Sequence, residues 1–444
     1  MRVLFSTNCS SSYMSPPILG DEQINCGPDW IDGTGLDGKI TTLSTPVGVY
    51  DLRLVSSKLY PHQIPDVVAC VVDSTWRNMP RNLKAFNCPK ILLVADTHHQ
   101  VAPIVGMLQY ASSEPFDRIV FLYNRQHIPF FYLAGFNNLY WLPGLTFPHS
   151  DKIVADARRQ NKREQHIAFV GQIGDLHQRR KRMLLSLLDS NQPLVIKNIN
   201  QNEALNFYAT SLIGFNCSLN GDLNLRTFEI LAAGACLLTD KLSCDAGLDL
   251  LLTNNLNAHL YSSSEELQEI AKYAVLTTQD TAKIGLSGSL WFDLNMSENK
   301  RREAFFSVVF NGISKPLFNV SDYYSSIYSY NKSDSWVASV IIIYQLIQEL
   351  HRNLELVRVA FDQSVSKIII NLFQTLPRLS VIDYDINTSA DLAIIDKNNS
   401  TIASRTNNFW FWNSKQSDST YLVSKMLEYK LINKTLMFFS KSNY

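Results

Sequence analysis

Leu223–Asp240 reads LNLRTFEILAAGACLLTD. The order is loop, short helix, glycine stop, strand. Asn224 stands where a helix N-cap belongs, and Gly234 stands where a C-terminus favours a residue free to take positive φ. Cys236–Thr239 is a short apolar run of strand type. At about 100° per residue, Leu225, Phe228, Leu231 and Ala232 share one helix face, the natural core face. Arg226, Glu229 and the small Ala233 share another. That second face sets a cation and a carboxylate one turn apart near a helix N-terminus, where free N–H groups and the dipole already favour anions. Arg226 is thereby a candidate phosphate ligand and Glu229 a candidate acceptor from a sugar diol. The same spacing also suits a surface ion pair worth a few tenths of a kcal/mol.

The run NLRTFEILAAGACLLTD resembles the donor-site signature of family-1-type glycosyltransferases of the GT-B fold, in the branch similar to the spore-maturation-protein-like group. There an R-x-F-E-x-x-A-x-G stretch ends in a strand. The resemblance implies that Arg226 contacts the donor diphosphate, that Glu229 contacts the ribose, and that Asn224 lies in the same substrate-binding turn. Related retaining enzymes often carry a second carboxylate eight residues before that glutamate. Here Gly221 takes the position, with Asp222 beside it.

Working outward, 444 residues suit two or three domains. With 46% hydrophobic and 18% charged residues, the chain has the material for sizeable cores. Forty basic and forty acidic residues balance, which argues against a general nucleic-acid binder. Seven scattered cysteines without a C-x-x-C pair suit reduced thiols in a cytoplasmic protein rather than a disulfide framework or a zinc site. The start, MRVLFSTNCSSSYM, has too short an apolar run for a signal peptide. The apolar stretch Trp336–Ile347 is too short to span a bilayer.

Val3–Ser6, Val67–Asp73, Lys90–Asp96, Arg118–Tyr123 and Leu139–Pro143 are apolar on both faces and separated by helical segments. That pattern predicts a parallel sheet covered by helices. The first loop lacks G-x-G-x-x-G, so a conventional NAD site is not expected there. The charged stretch 143–165 reads as an interdomain linker or a long surface loop. A second α/β unit starts at His166–Gly171, with strands at Pro193–Asn198, Leu212–Asn216 and Cys236–Thr239. Ser263–Leu276 and Met296–Phe310 read as helices. In GT-B proteins a terminal helix of the latter kind crosses back onto the first domain. Beyond 315, a helix from Trp336, strands at 354–361, 379–385, 391–397 and 409–413, a helix at 419–432 and a last strand at 435–442 predict a further small α/β unit. A structural or partner-binding appendage and a degenerate methyltransferase-like unit both fit it.

Glycosyl transfer must stabilise a leaving nucleoside diphosphate and a cationic sugar, and must take a proton from the acceptor. Gly171 and Gly174 permit close backbone approach after a strand, and HQRRKR follows. The resembled group has a G-x-x…R-R segment there, which implies Gly171, Arg179 and Arg180 as phosphate-side residues. A solvated basic helix face is the alternative for any one of these charges. Asp96 and His98 fall at the C-terminal end of a strand, the edge where ligands of open α/β sheets collect. They are the candidate base or acceptor contacts, although an N-cap aspartate and structural histidines suit the positions too. No local ligand set suggests a metal.

These observations predict an α/β protein of two Rossmann-like domains facing a cleft, 1–150 on the acceptor side and 166–310 on the donor side, plus an accessory α/β domain at 315–444. The expected activity is metal-independent transfer of a sugar from a nucleoside-diphosphate donor, with no further cofactor. The acceptor is a carbohydrate, a lipid-linked molecule or a protein, and no nucleic acid is expected. The accessory domain is a candidate surface for a protein partner or self-association. The alternative is a non-catalytic nucleotide-sugar binder or an adaptor for a partner glycosyltransferase.

Overall fold

The computed structural model describes residues 1–8, 15–98, 103–159, 163–174 and 178–320, and further on 341, 343–348, 350–351, 354, 356–362, 370, 373, 376, 378–384, 389–396 and 409–412. The expected helix at 419–432 and strand at 435–442 lie outside the described residues.

The first lobe is built on an eight-stranded sheet among the described residues. Its order is Leu139–Trp141, Arg118–Phe121, Lys90–Val94, Val67–Val72, Arg2–Ser6, Glu22–Gly27, Ile40–Ser44, Gly33–Thr34. All neighbours run parallel except the last pair. The five apolar strands are the ones that sequence patterning finds. Val67–Val72 is buried at every position, as a strand covered on both faces must be. The three added strands carry polar residues on one face, EQINCG and ITTLS among them. They extend the sheet to an edge, where double-sided hydrophobicity is not required.

The second sheet among the described residues has the order Leu194–Lys197, Glu164–Val170, Ser211–Phe215, Cys236–Asp240, His259–Tyr261, all parallel. The helix Leu225–Ala233 lies against it, and Ile230 packs where Gly214 has no side chain. Gly234 ends that helix at φ 75°, as its position predicts. Ser263 caps the helix Ser264–Leu276 by accepting from the Glu266 N–H at 3.2 Å.

Two further features depart from the sequence reading. The 143–165 stretch is not plain linker. Asp151–Arg159 is a helix that buries Val154 and Ala157, and its charges have work to do. Arg158 Nε donates to the Ala232 carbonyl at 2.5 Å, and Arg163 Nη2 to the Ala233 carbonyl at 2.9 Å. Both satisfy open carbonyls at the end of the Leu225–Ala233 helix. The second departure is a long helix, Thr278–Met296, which sequence patterning misses. Its glycines lower helix propensity, yet Gly285 is what allows its backbone to approach Gly234 and Cys236.

The helix Glu298–Phe306 returns to the first lobe. Arg302 Nε donates to the Leu19 carbonyl at 3.1 Å, Arg118 Nε to the Val308 carbonyl at 3.2 Å, and Arg301 Nη2 to the His149 carbonyl at 3.1 Å. The return expected of the GT-B arrangement is therefore present. A third parallel sheet follows, in the order Leu379–Asp383, Val357–Phe361, Leu392–Asp396, Phe409–Trp412. Tyr344 ahead of it meets the first lobe, with its hydroxyl 3.2 Å from His127 Nε2.

His149 sits where the chain passes between the lobes. Burial pulls its pKa down to about 4. An unfolded histidine titrates near about 6.5. Between those values the unfolded chain takes a proton that the folded protein refuses, so stability falls as pH drops through that window and is intact above it. Urea unfolding across it is expected to show a shallower acid loss for His149→Gln than for the parent. Parallel curves would contradict the buried neutral assignment.

Candidate functional site

The C-terminal ends of the two large sheets face each other across a cleft of about 370 Å³, within the size of small-molecule sites. Its floor is closed by contacts between lobes. Leu223 N–H donates to the Tyr123 carbonyl at 3.2 Å, Gln126 Nε2 to the Gly221 carbonyl at 3.2 Å, and Arg125 Nη1 to the Asp245 carbonyl at 3.0 Å. Asp96, His98 and Tyr123 line the cleft from the first lobe. Gly171, Arg180, Asn224, Arg226 and Glu229 line it from the second. Seven of the eight residues singled out in the sequence thus meet in one cavity.

Phe169 organises the cationic side. It is fully buried at the end of the strand Glu164–Val170. The Arg226 guanidinium lies 4.7 Å from its ring centroid, and that of Arg180 lies 5.7 Å from it. Each cation gains from the ring's negative face. Arg226 Nε donates to the Val170 carbonyl at 2.9 Å, and Nη1 to Asn216 Oδ1 at 3.0 Å. Gly171, at φ 148°, gives way to this side chain: a Cβ there would stand 2.7 Å from Arg226 Nη2. Arg180 Nη1 donates to the Gln172 carbonyl at 3.2 Å, while its buried Nε has no partner. Burial, and then the Arg226 charge, pull Arg180 down to about 10. Two like charges on one ring, one of them with an unused donor, form a site that an anion would relax.

The helix Leu225–Ala233 presents its N-terminus to the same cavity. Asn224 holds the N-cap backbone conformation, but its side chain does not cap the helix. Its Nδ2 donates instead to Asn216 Oδ1 at 3.1 Å, and its buried Oδ1 lacks a partner. Thr227 N–H is taken by the Asn224 carbonyl at 3.2 Å, which leaves the Leu225 and Arg226 amides of the first turn available to a ligand. Glu229 stands one turn further on. Burial raises its pKa, opposed by the Arg226 charge and by Gln201, whose Nε2 donates to Glu229 Oε1 at 3.2 Å.

Arg179 does not join the group. Its side chain is 5% exposed and points into the lobe, with Nη1 2.5 Å from Asp240 Oδ2 and 2.7 Å from the Ser218 carbonyl. Successive residues of the helix Gln178–Asp189 stand about 100° apart, so Arg179 and Arg180 face different surroundings. The phosphate-side reading of Arg179 is corrected to a structural ion pair. Gly221 bears no carboxylate, but Asp222 beside it lines the cleft, and its Oδ1 accepts from Ser218 Oγ at 2.8 Å.

Across the cleft, His98 Nδ1 lies 3.9 Å from Asp96 Oδ1. His127 beneath them is held neutral: burial, and then His98, pull it down to about 3. Sequence reading missed Phe169, Tyr123, Asn198 and Gln201, all of which shape or line the cleft. Nothing in their local sequence marks them, since they meet only through the sheet topology. Among the described residues no group of three or more His, Cys, Asp or Glu side chains is placed to hold a metal, and no helix is long and apolar enough to cross a membrane.

Residues 153–300 match a family model described as glycosyl transferase-like. The glycosyltransferase resemblance expected from Leu223–Asp240 is met by that match, and the two large sheets agree with the two-lobed α/β layout expected of it. No curated protein matches the chain. Among solved structures, Anabaena HepE in complex with UDP-glucose is similar at 11% identity and TM-score 0.46, over 70% of this chain and 100% of that one. Sucrose-phosphate synthase from Thermosynechococcus elongatus is similar at 10% identity and TM-score 0.48, over 69% and 98% of the two chains. An alpha-glucosyltransferase in complex with UDP-glucose and abasic DNA is similar at 10% identity and TM-score 0.45, over 70% and 99%. The cationic wall and the signature helix both lie within the matched residues 153–300; Asp96, His98 and Tyr123 come from outside them.

Proposed function

We propose that the protein moves a sugar from a nucleoside-diphosphate donor to an acceptor hydroxyl in this cleft. The observation that carries the reading is the pair Arg180 and Arg226 on one buried ring, facing the same cavity as an uncapped helix N-terminus and Glu229. Arg180, Arg226 and the amides of Leu225 and Arg226 hold the diphosphate and take up the charge that gathers on it as the glycosidic bond breaks. They can do this without a metal. Glu229 accepts from the ribose diol. The acceptor oxygen approaches from the Asp96 and His98 side, forms the new bond to the sugar carbon, and passes its proton to one of those two groups. A carbohydrate, lipid-linked or protein acceptor fits this direction of entry. The lobes correspond to 1–150 on the acceptor side and 166–310 on the donor side, with 315–444 accessory and a candidate partner surface. The described cysteines are all free, in keeping with work in the cytoplasm.

A thermal-shift panel of UDP, GDP, dTDP and their sugars tests the reading directly. Stabilisation by at least one diphosphate family, followed by turnover of its sugar, is expected. Binding without hydrolysis or transfer would favour the non-catalytic binder or adaptor, a reading that Gly221 in the carboxylate position supports. For Glu229→Gln, the preference for UDP over its 2′,3′-dideoxy analogue is expected to shrink roughly tenfold, the value of one charged hydrogen bond. An unchanged preference in calorimetry would remove the diol role.

A further inference from the structure

Gln201 opens the helix Gln201–Ala209, whose Asn200–Glu203 capping box holds its N-terminus. The residue was not singled out in the sequence, and it touches both lobes. Its Nε2 donates to Glu229 Oε1 at 3.2 Å. Its Oε1 accepts from the backbone N–H of Ser15, in the first lobe, at 3.2 Å. These contacts fix the amide's orientation, because a carboxylate needs the NH₂ end and a backbone N–H needs the oxygen end. The two lobes therefore meet, through one side chain, at the carboxylate assigned to the ribose.

We propose that Gln201 is a positioning residue through which the first lobe sets the geometry of Glu229 for ribose recognition. The proposal rests on the donor reading above. With Ser15 in place, the amide plane of Gln201 is held, and its N–H holds one carboxylate oxygen. The other oxygen is then oriented toward the cavity and the diol. When the lobes separate, the Ser15 contact is lost and the amide is free to rotate, so ribose recognition weakens. Donor binding and the closed arrangement of the lobes thereby favour each other, as linkage requires. The groups facing Glu229 are Arg226 on its own helix, Gln201 and Tyr208 on the neighbouring helix, and Asp96 and His98 across the cleft.

The test uses the full chain and two variants, Gln201→Met and Ser15→Pro. The first removes the amide while keeping length and helix propensity, and the second removes the N–H that the amide accepts from, along with the serine hydroxyl, and fixes φ beside Pro16. Calorimetry compares UDP and GDP with their 2′,3′-dideoxy analogues over a range of pH, on protein whose melting curve shows it to be folded. Gln201→Met is expected to reduce UDP or GDP affinity about tenfold and leave the dideoxy analogues nearly unchanged. It should also move the acid fall-off of affinity to higher pH, because a carboxylate that loses a donor holds its proton more tightly. Ser15→Pro should reproduce the ribose-selective loss in smaller measure. Equal losses for ribose and dideoxy ligands, an unmoved pH profile, or no effect of Ser15→Pro on ribose preference would overturn the positioning role. If none of UDP, GDP and dTDP binds the parent protein, the donor reading itself fails and this proposal falls with it.

Discussion

Replacing Arg226 by alanine is expected to weaken nucleoside-diphosphate binding roughly ten- to hundredfold, the value of about 1.5–3 kcal/mol for a charge-assisted contact. The bare nucleoside should lose little. The asymmetry follows from position. Arg226 is anchored by the Val170 carbonyl and Asn216 Oδ1, and it lies over Phe169 where Gly171 leaves room. Those anchors leave it no freedom to follow a misplaced ligand, so its contribution belongs to the phosphates that reach it. Arg226→Lys keeps the charge but not the planar fork, and should fall between the parent and alanine. Removal of Arg226 also relieves Arg180 of a like charge, which makes the measured loss a lower bound on the contact. Calorimetry with UDP and uridine separates the possibilities. Equal losses for the two ligands would show that Arg226 supports the lobe rather than the phosphates.

The second large effect concerns stability. Arg179 and Asp240 form an ion pair with side chains 5% and 3% exposed. Asp240 Oδ1 also accepts from the Ser218 N–H at 2.9 Å, and Ser218 Oγ reaches Asp222 at the cleft. Removing one partner of a buried pair strands the other charge, at a cost of about 3–5 kcal/mol. Arg179→Met is therefore expected to destabilise the protein by roughly that amount in chemical denaturation. The double variant Arg179→Met with Asp240→Leu should recover much of it, because no charge is then left unpaired. A small loss in the single variant, or no recovery in the double, would mean that water reaches the pair. At ligand concentrations that keep it folded, the single variant should still bind UDP, which distinguishes it from Arg226→Ala.

Much of the site was legible because its chemistry is local. The Leu225–Ala233 helix is set by its own apolar face and by Gly234, and that periodicity places Arg226 and Glu229 one turn apart wherever the helix lies. The apolar strands are equally self-declaring, since burial on both faces leaves a continuous hydrophobic run. What escaped has a common physical origin. The polar strands Glu22–Gly27 and Ile40–Ser44 depend on a neighbour for their pairing. The helix Asp151–Arg159 reads as a charged tether until the carbonyls that its arginines satisfy are brought beside it.

The apolar strand runs gave the α/β class, and spacing along one element gave the signature helix and put Arg226 and Glu229 on one of its faces. That Arg180 faces the cleft while its neighbour Arg179 is sealed against Asp240 follows from the packing of the lobe and not from spacing. The tertiary structure alone brought Phe169 under two guanidinium groups and set Gln201 between Ser15 and Glu229. Those outcomes turn on burial and on partners distant in the chain, and both exist only once the two sheets face each other.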